Sequence, residues 1–356
     1  MEIIYTKDPE WLKKWDNYVL AENKASHLML SQWNASFGSY GFDFEICIAI
    51  KEGTICGGFA GVIAKALFFK FFIVPYGPIV SVGSEDQLNA LIESVKKRAK
   101  HFNCCYCHIT LPVSSQPNPH VFSQLPQMSA LDHANPGHVF KYVYASNGLN
   151  WIDLKGFDEE TKIMTLKPSV RRNIRNSYRK DLVFTHLDDN EKIALGYRLF
   201  EENSKTAGYN IRDWADMKNT LFALQAEGAL KMLGAFKENE LKGAILLIRS
   251  GNYYTYILGG SKKEVPDLRT GDFLQWEAIK MSLEQGLDGY NISLGGSKGV
   301  VEFKNSFNTM PFLFEESKFH WVLRPVIFKV YVFFENRMKP YKKNISKLFS
   351  ALKNRK

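Results

Sequence analysis

The chain has 356 residues, 45% of them hydrophobic and 23% charged. That length suits two domains of ordinary size, and the composition excludes a disordered chain, a collagen-like fibre and a disulfide miniprotein. The formal net charge of +9 is unevenly placed: Ser317 to Lys356 holds eleven basic residues against one acidic and leaves the rest of the chain near neutral.

In chain order, DPEWLKKWDNYVLAE opens with an Asp-Pro start and a helical apolar rhythm. FEICIAIKEG, TICGGFAGVIA and LFFKFFIVPYGPIV follow as strand-like runs, the last interrupted by Pro75 and Pro78. SEDQLNALIESVKKRAKHF has a Ser/Asp cap and helical spacing, and CCYCHITLPV closes a mixed α/β unit as a strand. The cysteines Cys47, Cys56, Cys104, Cys105 and Cys107 form no paired CxxC framework. They read as small hydrophobes, so no metal site and no disulfide is expected. Ser114 to Asn150, rich in Ser, Pro, Asn, Gln and His, reads as loops and the passage between domains.

A second unit starts at WIDLKG. Helices are expected from Glu159 to Lys167, after Pro168, from Glu191 to Lys205 and from Trp214 to Glu227. ALKMLGAFKENELKGAILLIRSGNYYTYILGG gives three strands, TGDFLQWEAIKMSLEQG a helix and YNISLGG a further strand. This order is that of an acetyltransferase-like (GNAT) domain, and the first unit has a weaker version of it. The expected fold class is α/β with mixed sheets in two such domains, 1–150 and 151–316, followed by a basic tail, 317–356. No apolar run reaches the roughly 18 residues of a membrane span. The start lacks the charged-then-apolar order of a signal peptide, so a cytoplasmic protein is expected.

SVRRNIRNSYRKDL, YRLFEENSKTAGYNIR, the stretch from YYTYILGG to YNISLGG, and GVVEFKNSFN with its F-K-x-x-F pattern stand in an order that resembles the Fem-type (FemABX) peptidyltransferases. SQWNASFG and VPYGPIV add to the likeness in the first unit. The resemblance covers the chain to about residue 316. It implies two GNAT domains side by side and transfer of an amino acid from aminoacyl-tRNA to an amine of a lipid- or nucleotide-linked envelope precursor, in peptidoglycan or another surface glycan. It also implies that Phe303 and Lys304 belong to the catalytic signature. Read as standing at a strand end beside the glycines of SLGGSKG, Lys304 would stabilise charge on the carbonyl oxygen or hold the 3′ end of tRNA. Arg212, in AGYNIRDW, would grip acceptor phosphates with its planar fork. The family's acceptor-phosphate lysine has no counterpart, because no lysine stands between Trp33 and Lys51.

Other candidates come from spacing. Tyr254 and Tyr256 alternate along one strand and share a face that would line an acceptor groove. Arg171, Arg172, Arg175 and Arg179 fall at helical spacing in KPSVRRNIRNSYRK and would track an RNA backbone. No Ser-His-Asp or Cys-His nucleophile is readable, since Cys107 and His108 point to opposite strand faces. Direct attack by the acceptor amine is therefore expected, with no cofactor and no metal. An acyl-CoA donor, acting on an amino sugar, is the alternative; DLRTGDFLQW has one glycine and an aspartate where pyrophosphate would sit, which counts against it. A non-catalytic scaffold binding RNA or glycan at the membrane surface is the further alternative. In the tail, Tyr341, Ile345, Leu348, Phe349 and Leu352 share one helical face among lysines. That pattern suits the anionic inner face of the plasma membrane, packing on the first domain, or RNA.

Overall fold

The computed structural model describes residues 1–81, 85–113, 135–136 and 143–338. The first half runs β1 (Glu2–Thr6), α1 (Pro9–Ala21), α2 (Ser31–Ala35), β2 (Asp43–Lys51), β3 (Thr54–Ala66), β4 (Phe69–Val74), β5 (Ile79–Val80), α3 (Glu85–His101), β6 (Tyr106–Thr110) and β7 (Asn135–Pro136). The second runs β8 (Gly148–Asp153), α4 (Glu159–Thr165), α5 (Pro168–Tyr178), β9 (Val183–His186), α6 (Asn190–Ala207), α7 (Trp214–Ala226), β10 (Leu230–Lys237), β11 (Glu240–Ser250), β12 (Tyr253–Ser261), α8 (Thr270–Glu284), β13 (Gly289–Asn291), α9 (Lys298–Asn305) and β14 (Met310–Leu313). The chain then returns through β15 (Lys318–Val322) and α10 (Pro325–Phe333).

Local chemistry explains the ends. Asp8 accepts hydrogen bonds from the Glu10 and Trp11 amides and starts α1, with Pro9 at its first position. Asp189 caps α6 the same way, and Gly208 ends it in the left-handed conformation. Asp158 and Thr161 form a reciprocal capping box on α4.

Two sheets result, ordered β1-β2-β3-β4-β6-β15-β7 and β14-β8-β13-β12-β11-β10-β9. They share one plan. An edge strand (β1 or β9) leads through two helices to an antiparallel meander (β2-β3-β4 or β10-β11-β12). A helix (α3 or α8) then crosses to a strand parallel to the last of the meander (β6 or β13). This is the two-domain α/β architecture expected from the sequence.

Alternation along the strands sorts side chains into layers. Cys47 and Ala49 of β2 pack under α3, and Ile245 and Leu247 of β11 pack under α8. Ile46 and Ile48, with Ala244, Leu246 and Ile248, turn the other way into one core shared by both halves. Trp15 and Val19 of α1, Leu28 to Leu30, and Tyr197, Phe200, Leu221 and Leu224 of α6 and α7 fill it. Each such side chain contributes about 1.5–3 kcal/mol on burial.

Three features differ from the sequence reading. VVEFKN is a helix, so Lys304 stands in its last turn and not at a strand end. The edge strands β1, β9 and β14 are added, each five residues or fewer and so too short to show an alternating pattern. Residues 318–333 are not a separate tail but, as one alternative for the tail had it, pack on the first half: β15 pairs antiparallel with β6, and α10 packs on Phe69, Phe71 and Tyr106 of the first sheet. The basic helical face from Tyr341 to Leu352, read as a membrane or RNA contact, lies outside the described residues.

Gly58 sits where β3 passes closest to α1, at φ +150°. A Cβ there would stand 2.1 Å from the Cys47 carbonyl oxygen and 2.7 Å from the Trp15 ring. Both neighbours are core, so relaxation is restricted. Gly58→Ala is expected to destabilise the fold by about 3 kcal/mol or more, read as a loss of melting temperature; an unchanged melt would mean that Trp15 does not close the shared core.

Candidate active site

β12 and β13 pair in parallel only over Tyr253–Thr255 and Gly289–Asn291. Beyond Thr255 they diverge, and a register shift opposite Leu246 and Leu247 bends β12 further. The gap opens into a cavity of about 550 Å³ at the seam between the halves. The first half supplies Ser26, His27, Leu28, Trp33, Phe37 and Tyr40. The second supplies Arg212, Thr255, Tyr256, Ile257, Asn291, Ser293, Gly295 and Lys304. Three sequence candidates, Arg212, Tyr256 and Lys304, therefore meet in one space.

Lys304 is held from both sides of α9. Phe307 is buried in the second-half core, with the Phe303 ring 5.3 Å away. On the other side, Asn291 accepts hydrogen bonds from the Asn150 amide (2.9 Å) and the Ser293 amide (3.0 Å) and holds Ser293 at φ +61°. That turn presents two acceptors to the ammonium: Lys304 Nζ donates to Ser293 Oγ at 2.8 Å and to the Gly295 carbonyl at 2.6 Å. The Tyr256 ring lies 5.2 Å away. Lys304 is 4% exposed, and no carboxylate lies within ion-pair distance of it among the described residues. Burial without a counter-charge pulls its pKa down to about 8.

Arg212 reaches across the seam. Its guanidinium donates to Ser36 Oγ and lies 4.4 Å from the Phe37 ring, 5.4 Å from Tyr40 and 5.6 Å from Trp33. Neither Asp213 nor Asp216 forms an ion pair with it among the described residues, although the Asp216 charge acts on it at longer range. Tyr197 Oη donates to the Arg212 carbonyl at 2.7 Å and fixes the backbone there. Aromatic burial lowers the Arg212 pKa from its usual value without approaching deprotonation. No aspartate or glutamate lines the cavity among the described residues. The site thus offers one buried cation, Lys304, and one half-buried cation, Arg212, with no carboxylate in its lining among the described residues.

His27 was not singled out in the sequence. It is 8% exposed and stands edge-on to Trp33, with centroids 5.1 Å apart. Burial drives its pKa down to about 3, so it faces the cavity as a neutral imidazole. A lone histidine in an apolar run carries no pattern that would reveal this. Trp33, quoted with SQWNASFG, was the nearest signal.

Other candidates fall elsewhere. Tyr254 shares the face of Tyr256, but its hydroxyl donates to Gln285 Oε1 at 3.1 Å and its ring belongs to the core under α8. Phe303 turns toward Gly271 at the start of α8 and does not line the cavity. Its role is to anchor α9. Arg172, Arg175 and Arg179 are exposed on and just beyond α5, without ion-pair partners among the described residues, while Arg171 is half-buried with its guanidinium on Met164 Sδ. The stripe is real but lies outside the cavity. The thiols of Cys47, Cys104, Cys105 and Cys107 are buried with raised pKa values, so none is poised as a nucleophile. Among the described residues no group of three His, Cys, Asp or Glu side chains is arranged to hold a metal.

Comparison with known proteins fits this geometry. No curated protein matches the sequence. The crystal structure of FemX superposes with a TM-score of 0.76 at 14% identity, covering 93% of this chain and 99% of that one. A conserved protein of unknown function from Bacteroides thetaiotaomicron VPI-5482 superposes with a TM-score of 0.59 at 12% identity, covering 90% and 99%. At these identities the likeness is one of fold. An acetyltransferase (GNAT) domain model matches residues 167–305, the part that carries β12, β13 and Lys304. The FemAB family model matches residues 12–219, from α1 through Arg212 and its aromatic surroundings. That match spans more than half of the chain and both sides of the seam, and the chain belongs to the FemAB family of GNAT-fold acyltransferases.

Proposed function

We propose that the protein transfers an aminoacyl group from aminoacyl-tRNA to an amine of a cell-envelope precursor, with both substrates meeting in the seam cavity. The observation that carries this reading is a pair of cations lining one cavity, buried Lys304 and half-buried Arg212, with no carboxylate in ion-pair contact with either among the described residues.

The acceptor amine attacks the ester carbonyl, and the carbonyl electron pair moves onto oxygen. The Lys304 ammonium, already held by Ser293 and the Gly295 carbonyl, faces that developing charge without reorganising. The tetrahedral intermediate collapses and expels the ribose hydroxyl oxygen of the tRNA. That oxygen takes up the proton lost by the amine. Arg212 holds an anionic group of the acceptor against Trp33, Phe37 and Tyr40. A single guanidinium in an aromatic box suits one phosphate flanked by an apolar or ring-bearing group. It suits a nucleoside diphosphate less well, because the second cation such a group demands has no residue to supply it between Trp33 and Lys51.

An acyl-CoA donor is disfavoured by α8. Asp272 is buried in its first turn and accepts from Asn173 Nδ2 at 3.4 Å, and Phe303 covers Gly271. A carboxylate thus occupies the helix N-terminus that pyrophosphate would need. The exposed arginines of α5 are left to the tRNA backbone.

Two measurements test this. Lys304→Ala is expected to lower kcat by about 10²–10³-fold. The wild-type rate should fall as pH rises through about 8, where the ammonium is lost, and the residual activity of the variant should lack that descending limb. An unchanged kcat would remove Lys304 from the chemistry. Replacing Arg172, Arg175 and Arg179 together by Gln should raise KM for aminoacyl-tRNA, leave kcat intact and reduce the salt-dependence slope of binding by about 2–3; an unaltered slope would assign the stripe to solvent.

A further inference from the structure

α10 is apolar nearly all round: PVIFKVYVF has one charged residue in nine. Its inner stripe, Ile327, Phe328, Tyr331 and Val332, packs on the first sheet. Its outer stripe, Val326, Val330 and Phe333, recurs at i, i+4 and i+7 and stands 76%, 47% and 60% exposed. Beside it the β3–β4 turn exposes Leu67 (56%) and Phe68 (69%). The Phe68 ring lies 4.1 Å from Phe69, whose ring lies 5.3 Å from Tyr331, so turn and helix form one patch.

Charge around the patch is mainly positive, with half-buried Glu335 as the acid in the turn after Phe333. Lys65, Arg324, Lys329 and Arg337 are exposed, with no ion pair among the described residues. The sequence has no acid from Gly53 to Ser84 or from Ser317 to Phe334. From Met338, where the described helix ends, the chain continues for eighteen residues with seven basic and none acidic.

We propose that this face, the outer stripe of α10 with the Leu67–Phe68 turn, docks on an anionic bilayer surface. A second copy is disfavoured, because two such rims would repel. Nucleic acid is disfavoured, because Leu67, Val326 and Val330 neither stack on bases nor donate hydrogen bonds. A bilayer interface takes both halves of the pattern: apolar side chains enter about 5–10 Å to the headgroup boundary, and cations meet anionic headgroups. The same side-chain cluster that seats α10 includes Phe37 and Trp33 of the cavity wall. Docking would therefore set the bilayer against the side-chain cluster that reaches the Arg212 end of the site. The proposal does not rest on the transferase reading.

The test is co-sedimentation of the full-length protein with vesicles of phosphatidylcholine alone and with about a third phosphatidylglycerol. Wild type is expected to bind the anionic vesicles selectively. Replacing Leu67, Phe68, Val330 and Phe333 together by Ser should weaken that binding about tenfold or more while the melting temperature holds, since all four are exposed. In a second readout, the Phe68→Trp variant should shift its added tryptophan emission to the blue on anionic vesicles. Equal binding by the serine variant, equal binding to both vesicle types, or an unshifted emission from bound Phe68→Trp protein would overturn the proposal. So would a concentration-dependent dimer in sedimentation velocity that the serine variant abolishes.

Discussion

Everything in this molecule depends on one apolar core that neither half closes alone. Ile46 and Ile48 from one sheet and Leu246 and Ile248 from the other face inward across Trp15, Tyr197, Phe200 and Leu221. Because that core is common property, the two halves are fixed against each other by side-chain packing and not by a linker. The cavity lies at the margin of this core, where β12 leaves β13 and the helices of the first half stop short. Its walls come from both halves, so its shape is as rigid as the core beside it.

This rigidity allows an arrangement that isolated domains would not tolerate. A lysine buried without a carboxylate loses hydration that its hydrogen bonds replace only in part, and its depressed pKa is the signature of that cost. The Ser293–Gly295 turn, locked by Asn291, keeps the ammonium aimed into the cavity. Arg212 is treated alike, with aromatic faces in place of water. A negative charge placed beside these two cations would offset that cost. In a transfer reaction, such charge appears most fully at the transition state.

The fold was largely legible. Strand alternation, turn residues and caps gave the meander–helix–strand order of both halves, because each signal is local. Lys304 and Arg212, singled out through the order of motifs, and Tyr256, singled out through strand alternation, line one cavity. The misreadings have a common physical cause. Phe303 stands beside Lys304 in sequence, but on a helix adjacent residues point about 100° apart, so Lys304 faces the cavity and Phe303 faces α8. Tyr254 and Tyr256 share a face, yet the divergence of β13 between them uncovers only the second. His27 and Phe37 join the site through long-range packing, which no spacing along the chain encodes. The apolar run after Ser317 looked like a tail because the edge of β6 that receives it lies far back in the chain, before the whole second half.

That return has a consequence for how the protein is made. β6 and β15 are neighbours in one sheet, but the whole second half is threaded between them. The second half is thus an insertion in the first, and its own strands are contiguous. On the ribosome it has all its parts before the first sheet receives its last strand. Until then Tyr106 lacks its cover from α10, and β6 presents an open backbone edge from Tyr106 to Thr110, a template for unwanted pairing. Assembly of the earlier-synthesised half is therefore gated by the later one, and damage near the end of the chain will be felt first as misfolding at its beginning.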